Sequence, residues 1–137
     1  MIKIEVSVSV QTSVEKVWEF FTDPKHVVNW NFANDEWHCP RAESDFRVGG
    51  EFVYRMEAKS GEMGFDFGGV FEEIVEFQKF SYRLGDNRGV EVLFLSNNGT
   101  TTVKEIFDAE DENSAEMQRL GWQAILENFK KYVESRG

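Results

Sequence analysis

His26, Asp35, Glu36, His38 and Cys39 lie close together in the chain, and all are side-chain types that ligate transition metals. Their spacing fits no closed zinc pattern. Cys39 is the only cysteine, so a second thiolate is missing. No metal site is expected. His26 reads as a helix-surface residue and Cys39 as a small buried hydrophobe. Serine-based hydrolysis fares no better, because no Gly-x-Ser-x-Gly turn presents a nucleophile. Gly49-Gly50 and Gly68-Gly69 lack both the Gly-x-Gly-x-x-Gly and the Gly-Lys-Ser/Thr patterns that cradle phosphates, so no cofactor is expected.

One acid stands among rings. Asp66 lies between Phe65 and Phe67, and strand alternation puts it on the opposite face. Facing inward it would hold its proton more tightly and qualify as a general base. Facing outward it is an ordinary surface acid, the reading favoured by how rarely Asp is buried. Tyr54 and Tyr82 are candidates to aim hydroxyls into an interior, but no unambiguous acid–base pair emerges.

The elements that would position these groups follow from hydrophobic period. From Met1 to Val10 the residues Ile2, Ile4, Val6, Val8 and Val10 recur at period two, a half-buried strand. Thr12 and Glu15 have capping-box spacing ahead of Val14, Val17, Trp18 and Phe21, an amphipathic helix. Asp23-Pro24 reads as an N-cap and first-turn proline opening a second short helix to about Trp30. The segment 31–45 has no clean period and reads as a long loop with at most a short strand. Strands are then expected at 46–58, 63–76, 79–84, 90–96 and 100–108. Paired glycines inside the second of these suggest a bulge or a close backbone approach. Gly85-Asp86-Asn87 and Asn97-Asn98-Gly99 carry hairpin chemistry. Asn113 and Glu116 suggest a capping box for a last long helix. Its apolar stripe, from Met117 through Trp122, Ile125 and Phe129 to Val133, is broad enough to require burial along its whole length.

Composition bounds the rest. Apolar residues make up 41% of the 137 residues and aromatic ones 15%, ample for the core of one domain spanning residues 1–137. The formal charge of −10 repels phosphate backbones and anionic lipid heads, so no nucleic-acid partner and no membrane insertion are expected. No stretch approaches the roughly 18 apolar residues of a membrane span. The N-terminus lacks the basic and apolar regions of a signal peptide. A lone cysteine allows no internal disulfide, which points to a reducing, cytoplasmic setting.

The order is one strand, two short helices, a run of antiparallel strands and a long helix. That is α+β logic, with a curved sheet wrapped around a helix. Val17-Trp18, Asp23-Pro24, Trp30, Phe46-Arg47-Val48-Gly49-Gly50, Gly69-Val70-Phe71-Glu72-Glu73 and Gly121-Trp122 together resemble one pattern across essentially the whole chain. It is that of the START-like (SRPBCC) superfamily, in the branch of activator-of-heat-shock-protein-90-ATPase homologues. The resemblance implies a helix-grip fold and, commonly in that fold, an internal cavity. It does not imply one activity, since the superfamily includes lipid and hormone carriers, polyketide cyclases and co-chaperone domains.

A helix across a curved sheet leaves space unless large side chains fill it. The residues expected to line that space are Phe52, Tyr54, Phe67, Tyr82, Val92, Phe94, Gln118, Trp122, Ile125 and Phe129, with Trp30, Trp37 and His38 at its mouth. The first expectation is a binding module for a small apolar or amphipathic molecule. The second is a protein-interaction domain with a chaperone as partner. The third is a cyclase- or hydrolase-like enzyme, which an inward-facing ionisable residue beside a tyrosine would favour.

Overall fold

In β1 (Lys3–Val10) every second residue is buried, from Ile4 to Val10, as its alternation requires. The computed structural model describes residues 2–136, so Met1, at the head of that alternation, lies outside the described residues. Two short helices follow, α1 (Val14–Thr22) and α2 (Pro24–Val27). The chain then crosses to the far side of the sheet and returns through β2 (Trp37–Ser44), β3 (Glu51–Ala58), β4 (Gly64–Val75), β5 (Lys79–Leu84), β6 (Gly89–Asn97) and β7 (Thr100–Asp108). It ends in α3 (Ala115–Ser135). The seven strands pair antiparallel in the order β1-β7-β6-β5-β4-β3-β2, and the sheet curls around α3. This is the α+β helix-grip arrangement.

Several local expectations shift. The N-cap of α1 is Ser13, whose Oγ accepts from the Lys16 amide, one position beyond Thr12. The N-cap of α3 is Ser114, accepting from the Met117 amide, while Asn113 turns back to Glu110. In both cases a serine one residue later already has the extended backbone that a cap needs. Asp23 does cap α2 and Pro24 does open it, but the regular helix ends at Val27 rather than Trp30. The expected loop at 31–45 contains a full strand, β2. Its pattern is obscured by Pro40, which an edge strand tolerates, and by a register shift between His38 and Arg41.

Gly68 and Gly69 mark close backbone approach on both sides. A Cβ on Gly68 would press on the Phe52 carbonyl oxygen, and one on Gly69 on that of Arg83. The bulge itself lies just beyond them, between Phe71 and Glu73.

The free edge of β1 is covered by the polar side of α3. Gln123 accepts from the Ser7 amide and donates to the Ser7 carbonyl, Lys130 donates to the Ser9 carbonyl, and Glu134 accepts from the Gln11 amide. Edge groups that would otherwise invite another strand are thereby satisfied within the chain. The stripe of α3 is not buried along its whole length. Gln118, Leu126, Phe129 and Val133 are inside, whereas Met117 and Leu120 near the N-terminus of α3 are about three-fifths exposed, at 62% and 61%. Among the described residues no helix is long and apolar enough to cross a membrane.

Candidate functional site

The space between sheet and α3 divides into a filled end and a hollow one. At the filled end α1 inserts two rings. Trp18 meets Phe46, Phe77, Phe80 and Phe94 edge-on at centroid distances of 4.9–6.0 Å. Phe21 packs on Phe129 at 5.1 Å, and Trp30 on Phe129 at 4.9 Å. This cluster leaves no gap for Phe94, Val92 or Phe129 to face. All three lie in the packed core and none is on a cavity wall.

The hollow end holds a cavity of about 270 Å³. Phe52, Tyr54, Phe67, Tyr82, Gln118, Trp122 and Ile125 come together on its wall, with buried Met56, Phe71 and Phe80 and the half-exposed Phe65 beside them. Strand register explains the grouping. Tyr54 pairs with Phe67 across β3–β4, and Phe71 with Tyr82 across β4–β5, so alternate side chains of three strands point the same way. Trp30 also touches the cavity, but at 3% exposure it sits deep against the α1 cluster rather than at a mouth. Trp37 and His38 are off the wall. The Trp37 ring packs 6.0 Å from Phe65, and His38 Nε2 lies 3.7 Å from a Glu57 carboxylate oxygen.

One wall residue was not singled out in the sequence, and it is the most consequential. Glu105 of β7 is only 8% exposed and faces the cavity. Its cross-strand neighbours are Val6 on β1 and Val92 on β6, so its carboxyl stands in an apolar rung. Burial alone pushes that carboxyl up to about 8. No described residue donates a hydrogen bond or pairs with it. The signal was present: Thr101, Val103, Glu105 and Phe107 alternate at period two, which puts the acid on the core face of its strand.

Two hydroxyls share this condition. Burial holds Tyr82 well above its usual range, with the charge of Glu105 as the next cause, and burial likewise raises Tyr54. Neither hydroxyl bonds a described residue; Tyr132 is the tyrosine whose hydroxyl does, to His26 Nδ1 at 2.7 Å and to Asn29 Nδ2 at 3.3 Å. The Glu105 carboxyl and the two hydroxyls thus stand on the cavity wall without a hydrogen-bond partner among the described residues. Gln118 differs. Its Oε1 accepts from the Glu110 amide at 2.9 Å, and its Nε2 donates to the carbonyls of Glu110 and Asn113 at 3.1 and 2.8 Å. Its amide is spent on tying down the loop before α3.

The other candidates are placed as follows. Asp66 points outward, with its Oδ1 3.4 Å from Arg55 Nη1. Cys39 is buried at 2% exposure and its thiol is pushed up by burial. His26, Asp35, Glu36, His38 and Cys39, neighbours in the chain, do not form one group among the described residues. Among the described residues the ligand-type group that does assemble is Glu19, Asp23 and His26. There Asp23 Oδ1 already caps α2 and His26 Nδ1 already meets Tyr132, so these atoms have structural partners.

The family profile described as "Activator of Hsp90 ATPase homolog 1-like protein" matches residues 11–134. No curated protein sequence matches the chain. Among solved structures, an AHSA1-like protein from Aeromonas hydrophila is 40% identical, with a TM-score of 0.93 over 99% of this chain and 94% of that one. A protein from Cytophaga hutchinsonii is 43% identical, with a TM-score of 0.84 over 98% and 93%. A third, from Chromobacterium violaceum, shares the fold at 21% identity, with a TM-score of 0.84 over 98% and 99%.

Proposed function

The chain belongs to the family of activator of Hsp90 ATPase homolog 1-like proteins, and from that premise we propose that it is a binding module which takes a small apolar or amphipathic molecule into the cavity between α3 and the sheet. The observation that carries this reading is the hollow end itself: about 270 Å³ of space bounded by rings, with the Glu105 carboxyl and the Tyr54 and Tyr82 hydroxyls on its wall and unbonded to any described residue. Aromatic walls supply affinity by removing apolar ligand surface from water, at about 25 cal/mol per Å² before ordering costs. A few polar groups then set orientation. The volume lies just below the roughly 300–1,000 Å³ usual for drug-sized ligands, which favours a single ring or short chain over a sterol.

Native mass spectrometry of protein purified from its own host, followed by amide-resolved NMR titration with small aromatic and aliphatic alcohols, tests this. A co-purified ligand, or shifts centred on Tyr82, Trp122 and Ile125, is the expected result. A clean mass with no shifts for any probe would count against a receiving cavity.

Glu105 beside Tyr82 favours a second reading, in which the same pocket moves a proton on its guest. A carboxyl whose pKa is near 8 can donate or accept at physiological pH.

A further inference from the structure

We infer that the cavity is selective for a small apolar amine, bound as its ammonium ion with Glu105 as counter-charge and the surrounding rings as its cage; this deepens the binding-module reading and depends on it. Glu105 is more than nine-tenths buried, faces the void, and has no cation or donor from the described residues. A buried carboxylate in that condition is costly, and an entering ammonium removes the cost by supplying both charge and N–H donors. The same groups disfavour an anionic guest such as a fatty acid.

The walls fit the same chemistry. Phe52, Tyr54, Phe67, Tyr82 and Trp122 present ring surfaces around the void, and desolvated ring faces attract cations. The Tyr54 and Tyr82 hydroxyl oxygens offer two acceptors for the remaining N–H groups. The formal charge of −10 concentrates cations around the whole molecule and depletes anions.

Of the charged groups that share the cavity, Arg88 has the sign of the guest but is paired with Asp86, and Glu110 has the opposite sign. Arg88, from the turn between β5 and β6, has its Nε held by Asp86 at 2.7 Å. Glu110, before α3, adds a second negative charge on the wall. The volume keeps the guest small.

Three near-isosteric probes separate charge from shape: phenylbutylamine, phenylbutanol and phenylbutyrate. Calorimetric titration of the full chain is expected to rank them amine, alcohol, carboxylate, with the amine about tenfold tighter than the alcohol, the scale of one desolvated cation–π or ion-pair contact. Amine binding should release a proton from the protein below the Glu105 pKa of about 8, and the release should vanish above it. In Glu105→Gln the amine preference and the proton release should both disappear while alcohol binding persists. Asp66→Asn, which removes an acid that points away from the cavity, should keep the preference.

An alcohol that binds as well as the amine, or a preference that survives Glu105→Gln, overturns the amine assignment and leaves the cavity reading standing. Failure of all three probes to bind the native protein overturns both.

Discussion

The indole of Trp122 lies flat on the ring of Phe107, with centroids 3.8 Å apart and planes 11° from parallel. Phe107 is almost fully buried on β7, two residues from Glu105, and Trp122 is on the helix. This stack is where α3 meets the sheet beside the hollow end. Trp122→Ala should therefore lower stability by about 3 kcal/mol, at the low end for core aromatics because the indole is only partly buried. Trp122→Phe should recover most of that. Chemical denaturation of the two variants checks the order, and equal loss in both would mean that the stack contributes little.

Glu105 makes stability fall as pH rises. Its folded pKa of about 8 lies above the ordinary 4.5, so the folded state keeps a proton that the unfolded state has lost between those values. Below pH 4.5 both states hold the proton and the penalty is absent; it grows through the window and is complete above pH 8. Glu105→Gln should remove a penalty on the order of a few kcal/mol at the alkaline end and change little at the acid end. Asp108, held low by Lys3 and the Gly89 amide, loses stability in the opposite direction, as acid is approached. The difference between variant and native melting curves isolates Glu105 from it. A parallel pair of curves from pH 5 to pH 8.5 would contradict the burial of a proton-holding carboxyl.

Gln118 is placed at the cavity but works as a strut. Gln118→Ala removes three hydrogen bonds and takes the side-chain donor from the carbonyls of Glu110 and Asn113, which should cost about 1–2 kcal/mol. Faster hydrogen exchange at the Glu110 amide should accompany the loss. Binding of a neutral probe, once corrected for the folded fraction, should stay near native. If affinity instead collapsed in a folded variant, the amide would have to reach the guest.

Gly68 and Gly69 let β4 lie close to both neighbouring strands. Gly69→Ala drives a methyl into the Arg83 carbonyl and should destabilise by more than about 2 kcal/mol, as overpacking against backbone does. Gly85→Ala, at a turn position with open space around it, is the control and should be near neutral. Thermal melts compare the pair directly; similar melting temperatures would mean that the strands can move apart at no cost.

The order of elements was legible in the chain because burial periodicity is a local property. Alternation at Ile4 to Val10 and Phe52 to Met56, hairpin residues at Asn98-Gly99, and the stripe through Leu126, Phe129 and Val133 each depend on neighbours within a few residues. Where the local signal is blurred the elements depart from it: Pro40 and the register shift hide β2, and the serines at 13 and 114 displace both caps by one. Glu105 was legible too, as the acid in an otherwise apolar alternation. Only the tertiary structure decided which apolar residues fill space and which enclose it. Phe94 and Phe129 look in sequence just like Phe52 and Phe67, but α1 inserts Trp18 and Phe21 against the first pair and nothing against the second. A cavity is a shortfall of volume between elements distant in the chain, and no periodicity records the side chains that fail to arrive.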